Sequence, residues 1–195
     1  MKITEAQQEE IFQNTKKRII EVARRLFSEH SYLGVSMSDI AKKLNITKAA
    51  LYYHFTGKAE IYKEVLNEVF DNLNLSIAEA FDEKTTDRKL RKLIRNYLSF
   101  GLIEKNLIKA LMLKISPTNS QIRNYVIQLR EQVAERIQPL IEDVLRNKKL
   151  ARKADSKLVT ALLTGMMDAL LLEYSFLDKK INPEKVSNQI ILILF

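Results

Sequence analysis

The stretch Ser36-Met37-Ser38-Asp39-Ile40-Ala41-Lys42-Lys43-Leu44-Asn45-Ile46-Thr47-Lys48-Ala49-Ala50-Leu51-Tyr52-Tyr53-His54 carries two short amphipathic patterns parted by three residues. Met37, Ile40, Ala41 and Leu44 recur at i, i+3, i+4 and i+7, the inner face of a helix over 37–44. Ser36 is its N-cap, with Asp39 three residues on. Thr47 caps a second helix over 48–54. The connection Asn45-Ile46-Thr47 is tight. Ala41 is small where the two helices must approach, and Asn45 tolerates a left-handed backbone. Two short helices joined this way form a helix-turn-helix.

Helical periodicity extends outward on both sides. Ile19, Val22, Ala23 and Leu26 stripe a helix that Thr4 and Gln7 can start with a capping box and that ends near His30. A helix from about Lys58 to about Phe81 carries Ile61, Val65, Leu66, Val69, Leu73 and Ile77. The polar run from Asp82 to Asp87 reads as a loop. Beyond it, helices are expected around Leu90–Leu98, Leu107–Ile115 (ended by Ser116-Pro117), Ile122–Leu145 with a kink at Pro139, Asp155–Leu177, and Pro183–Phe195 with Asn182 as cap. Residues 190–195 also suit a strand by composition, but no partner strand is evident. The expected fold is all-α with about nine helices. Residues 1–57 form a three-helix domain, 58–86 a linking helix and loop, and 87–195 a second helical domain.

Composition narrows function. The 195 residues are 46% hydrophobic and 29% charged, with 32 Lys plus Arg against 24 Asp plus Glu, a net charge of +8. That length buries roughly 70% of the unfolded surface. The charge favours acidic partners without choosing among nucleic acid, membrane and protein. Cys is absent, so no disulfide or thiolate site exists, and a reducing cytoplasm is the expected location. His30 and His54 are the only histidines, and the four glycines are scattered, so no phosphate-cradling glycine loop is present. No metal or other cofactor is expected. The N-terminal residues have no apolar signal core, and the apolar run Leu162–Tyr174, interrupted by Asp168, is too short to span a bilayer. An enzyme using paired carboxylates is a weak alternative.

The outer face of the 48–54 helix offers Lys48, Ala49, Tyr52 and Tyr53. Lys48 can donate to guanine or phosphate, Ala49 can meet a thymine methyl, and the tyrosines can donate to phosphates. Thr47 and Lys58 lie near helix N-termini, which favour phosphate. Lys16, Lys17 and Arg18 are candidates for an arm reaching the DNA backbone or minor groove. The bland readings stay open. Helix pairs with short turns are common, tyrosines also pack, His54 also suits a helix end, and Lys16-Lys17-Arg18 is also a solvated face. The run Arg146, Lys148, Lys149, Arg152 and Lys153 reads as a solvated loop.

Residues Arg18 to Phe27, Ser36 to Ala41 and Thr47 to Phe55, followed by Lys58, resemble the first four helices of the tetracycline-repressor (TetR) family of bacterial transcription regulators. The likeness runs in register from about Arg18 to Leu66. It implies base contacts from Lys48, Ala49 and Tyr52, and phosphate contacts from Ser36, Thr47, Tyr53, His54 and Lys58. Three positions depart from the family pattern. Ser31 and Asn45 stand where Gly is usual, and Gly57 stands where a capping Ser or Asn is usual, so that Thr56 is expected to take over the cap.

The resemblance further implies a homodimeric repressor on a palindromic operator, released by a small effector bound in the helical C-terminal domain. Apolar positions Leu158, Leu162, Gly165, Met166, Ala169, Leu172, Ile190, Ile193 and Leu194 are candidates for the dimer interface, an intramolecular core being their other reading. Tyr97, Phe100, Met112, Tyr125, Leu129, Met167 and Tyr174 are candidates for lining a mainly hydrophobic effector pocket, though such residues also read as core. No membrane partner is expected. A non-catalytic helical adaptor or activator that keeps the fold and acts through a protein partner is the alternative.

Overall fold

The computed structural model describes residues 4–114, 120–150, 153–177 and 180–194, and the side chains of these except 111–114. Nine α-helices are present among the described residues. They are α1 (Glu5–Gly34), α2 (Met37–Leu44), α3 (Lys48–His54), α4 (Lys58–Ala78), α5 (Thr86–Ile103), α6 (Lys105–Lys114), α7 (Ser120–Asn147), α8 (Ser156–Phe176) and α9 (Pro183–Leu194). A single 3-10 turn, Glu79–Asp82, follows α4, so the expected end of that helix near Phe81 is tighter than an α-helix. Residues 190–194 are helical, not a strand. Helix α7 continues through Pro139. Ser116, Pro117, Arg152 and Phe195 lie outside the described residues, as does the side chain of Met112.

Helix starts follow local capping chemistry. Thr4 and Gln7 form the reciprocal box at α1, and Ser36 and Asp39 form the one at α2. Thr47 Oγ1 accepts from the Ala50 amide at 3.0 Å, and Asn182 Oδ1 accepts from the Lys185 amide at 3.0 Å. Each cap satisfies an amide that would otherwise have no partner in the first turn, typically for about 1 kcal/mol.

Two compact units divide the chain. One comprises Met1–Val69 and Ala110–Tyr125, the other Phe70–Lys109 and Val126–Phe195. The division falls inside α4, between Val69 and Phe70.

In the first unit, Ile19, Ile20, Ala23 and Phe27 of α1 are buried together with Ile40, Ala41 and Leu44 of α2, Leu51 of α3, and Ile61, Tyr62, Val65 and Leu66 of α4. Tyr62 lies edge-on to Phe27, with ring centroids 4.8 Å apart. Full burial of such side chains contributes roughly 1.5–3 kcal/mol each. In the second unit, Leu90, Leu93, Ile94 and Leu98 of α5 share a core with Val133, Ile137 and Ile141 of α7, Leu163, Met167 and Leu171 of α8, and Ile190 of α9.

Gly101 of α5 lies against the Leu171 side chain of α8. A Cβ there would sit 2.2 Å from Leu171 Cδ1, whereas a Cβ on Gly165 would meet nothing within 4 Å. Gly165 therefore permits no close approach inside this chain. Helix α8 is long and apolar enough, by length and composition, to cross a bilayer. The expectation that its apolar run is too short counted only Leu162–Tyr174, and the helix adds a turn and a half before it. Asp168 is buried in its middle and is bonded within the second unit.

Ser31 breaks α1 with φ 63° and ψ 172°, in a region that is essentially reserved for glycine. It is also buried. Regular α1 thus ends at His30, as its periodicity predicts. The backbone geometry that glycine usually serves is retained by a residue with a Cβ, at a cost of about 1–3 kcal/mol. Ser31→Gly relieves that strain and loses only a hydroxymethyl group. It is expected to raise the melting temperature by a few degrees, at roughly 2–4 °C per kcal/mol for a chain of this size. An unchanged or lowered midpoint in thermal unfolding followed by circular dichroism would refute the assignment of strain.

Candidate nucleic-acid interface

Helix α3 has seven residues, too short to hold itself in water. Tertiary contacts hold it. Leu51 and Phe55 are buried to 0% and 1% exposure, while Lys48, Ala49, Tyr52 and Tyr53 face solvent on the other side, the tyrosines at 53% and 75%. Asn45 closes α2 in the left-handed region, with φ 56° and ψ 43°. Its amide donates to the carbonyls of Ala41 and Lys42, and the Ile46 amide donates to Ala41. This is the Schellman-type closure that a glycine would usually provide. The outcome is an outward face of one cation, a small apolar spot and two phenols on a pinned two-turn helix. Ser36 and Thr47 are exposed at the starts of α2 and α3.

Two of the residues expected to hold phosphate sit differently. Lys58 Nζ donates to the Tyr32 carbonyl at 2.8 Å and to the Val35 carbonyl at 2.7 Å, and it lies 4.3 Å from the centre of the Tyr32 ring. Its ammonium is committed to the α1–α2 connection, whose carbonyls lack helical partners. A phosphate contact from Lys58 would draw on an ammonium that these two carbonyls already engage. Burial lowers the Lys58 pKa, with Asp39 opposing. His54 is half-buried, and its ring centroid lies 4.5 Å from that of Phe12. Its Nδ1 is buried without a hydrogen-bond partner. Burial, and then Lys16, lower its pKa and favour the neutral ring.

The expected basic arm is instead part of α1. Lys16 pairs with Glu64 at 3.6 Å and lies over the Phe55 ring. Lys17 and Arg18 are exposed on the same helix. Thr56 does not cap α4 through its hydroxyl. Its amide and hydroxyl both donate to Glu60 Oε2, at 2.6 and 2.7 Å, while Gly57 supplies the first carbonyl of the helix.

The residues proposed to line a pocket fall in both units. Tyr125 belongs to the first, where its hydroxyl bonds Asn67 and Lys63 lies over its ring. In the second, Met167 and Leu129 are buried, and Phe100 and Tyr174 are half-buried. Tyr97 is buried and donates to Asp168 Oδ1 at 2.7 Å. Arg130 approaches Asp168 Oδ2 to 2.5 Å as an ion pair rather than an aligned hydrogen bond. Burial and the neighbouring Asp168 push the Tyr97 phenol well above its ordinary value. Arg130 and Asp168 were missed from sequence because they lie 38 residues apart, with only the fold to pair them.

Among the candidates for a dimer interface, Leu158, Leu162, Gly165 and Ala169 lie exposed along one face of α8, and Ile193 is exposed on α9. Met166, Leu172 and Leu194 are half-buried, and Ile190 lies in the unit's own core. Leu192 of α9 joins the exposed set. Among the described residues, no cluster of His, Asp and Glu could hold a metal ion.

Two family models match. "Bacterial regulatory proteins, tetR family" covers residues 19–65, and "Tetracyclin repressor-like, C-terminal domain" covers 83–172. The chain belongs to the tetR family of bacterial regulatory proteins. It is 51% identical over 59 residues to the biofilm operon icaADBC HTH-type negative transcriptional regulator IcaR of Staphylococcus aureus (strain Newman), a match spanning 30% of this chain and 32% of the relative. The chain thus matches about a third of the length of that relative. Two solved structures share the fold. FadR of Bacillus subtilis, in complex with stearoyl-CoA, has a TM-score of 0.79 at 19% identity, covering 91% of this chain and 96% of the other. AibR, in complex with isovaleryl coenzyme A and operator DNA, has a TM-score of 0.72 at 19% identity, covering 92% and 97%.

The α2 cap provides a pH-dependent prediction. Asp39 Oδ2 accepts from the Ser36 hydroxyl at 2.6 Å and the Ser36 amide at 2.8 Å, and these bonds lower its pKa. A carboxyl lowered by folding stabilises the fold above its ordinary value and loses that effect as pH falls through the lowered one. The melting-temperature gap between wild type and Asp39→Ala is therefore expected to be open near neutral pH and to close in acid. A gap independent of pH would contradict this.

Proposed function

We propose that this protein is a transcription repressor that binds a palindromic DNA operator as a homodimer and is released by a small, mainly hydrophobic effector. The observation that carries the reading is the α2–α3 pair, capped at both helix starts and closed by left-handed Asn45, with Lys48, Ala49, Tyr52 and Tyr53 facing outward. A face of that size and chemistry fits the major groove. Thr47 Oγ1 accepts from the Ala50 amide, which leaves its hydroxyl proton for a phosphate beside this face. The net charge of +8 supports attraction to DNA. The 51% identity over 59 residues to the negative regulator IcaR supports a repressor.

One such helix reads few bases, so a two-fold pair with half-sites about 34–36 Å apart is the expected reader. The exposed apolar positions Leu158, Leu162, Leu192 and Ile193 support that pairing. Leu162→Glu is expected to yield a monomer by sedimentation and to weaken operator binding, and a dimer that survives it would remove this face from the interface. For the effector, Tyr97, Phe100, Met167 and Tyr174 remain the proposed lining, with stearoyl-CoA and isovaleryl-CoA as first probes. Such a ligand shifts operator affinity only by its differential affinity for two states, typically about 1–3 kcal/mol.

Selection of sites from random duplex DNA at near-physiological salt tests the core of the reading, with the Lys48→Ala, Tyr52→Ala variant alongside. The expected result is an enriched palindrome that the variant fails to select. Weak, salt-sensitive binding by both proteins, without enrichment, would favour an adaptor working through a protein partner.

A further inference from the structure

Helix α1 begins at Glu5, whereas the family match begins at residue 19. The extra turns are not idle. Phe12 is half-buried against the end of α3, its ring centroid 5.6 Å from that of Tyr53 at 82° and 4.5 Å from that of His54 at 35°. Tyr53 and His54 in turn meet edge to face at 5.2 Å. One turn further along α1, Lys16 lies over the Phe55 ring and pairs with Glu64.

These contacts form a brace along one face of α1, spaced i and i+4, which continues into the buried residues Ile19, Ile20, Ala23 and Phe27. Tyr53 is 75% exposed. The Phe12 ring meets it on the α1 side. His54, with its Nδ1 buried and unpartnered, is held by apolar contact rather than by hydrogen bonding.

We infer that Phe12 is a positioning residue for DNA binding, holding the Tyr53 and His54 rings of α3 in the orientation the interface uses. The inference rests on the DNA-binding reading above. It adds a residue that lies outside the matched family segment, which begins at residue 19.

A double-mutant cycle on the full-length protein tests it, using a DNA duplex selected by the wild type. Phe12→Ala is expected to weaken binding about 3- to 10-fold, the range of an aromatic pair. Phe12→Tyr restores most of that loss. In a Tyr53→Ala background the effect of Phe12→Ala shrinks to the part exerted through His54, because the Phe12 and Tyr53 rings act together. A general loss of folding would instead weaken binding equally in both backgrounds and would lower the melting temperature in step. Wild-type affinity in Phe12→Ala, or additive losses across the cycle, would overturn the inference while leaving DNA binding intact. Absence of any selected site with the wild type would remove the DNA-binding reading and this inference together.

Discussion

The Lys58 ammonium is the fastening on which the first unit depends. Helix α1 ends in a backbone break at Ser31, which leaves carbonyls of the α1–α2 connection without helical donors. Lys58 donates to two of them, on Tyr32 and Val35, and rests on the Tyr32 ring. One side chain at the start of α4 thus ties three segments together: the end of α1, the entry to α2 and α4 itself. Without it, partly buried carbonyls would be stranded, at a cost comparable to a lost hydrogen bond for each.

That fastening explains how two short helices become a rigid surface. Helices α2 and α3 have eight and seven residues. Neither length is stable alone. Their inner faces, Ile40, Ala41, Leu44 and Leu51, are buried beside Ile19, Ala23 and Phe27 of α1, and the connection feeding α2 is held by Lys58. The outward residues then inherit a fixed orientation without needing contacts of their own. Polar tips in a fixed arrangement suit recognition, because the ordering entropy is met on folding rather than on binding.

The second unit follows a different logic. Its core is almost wholly aliphatic, with one ionic feature, Asp168 between Tyr97 and Arg130. A buried carboxylate is tolerated only where partners compensate for its desolvation. Here a buried phenol supplies a hydrogen bond and a half-exposed guanidinium supplies charge, so α5, α7 and α8 are linked at one point. Elsewhere α5 and α8 approach through Gly101, which leaves room for Leu171.

What the sequence determined by itself was local. The caps Thr4, Ser36, Thr47 and Asn182 announce their helices because capping joins groups three residues apart. The apolar stripes announce the buried faces because helix period alone sets them. The outward set Lys48, Ala49, Tyr52 and Tyr53 was legible for the same reason. What only the tertiary structure decided was long-range. The carbonyl partners of Lys58, 23 and 26 residues away, are invisible to any local pattern. Phe12 belongs to the first turns of α1, and only packing brings its ring against α3, 41 and 42 positions on. Gly165 and Gly101 are equivalent in sequence, yet only one has another helix against it. Ile190 reads like its exposed neighbours Leu192 and Ile193, and rotation of α9 against the core separates them. Each of these depends on which surfaces meet, a property of packing between distant segments that no local pattern contains.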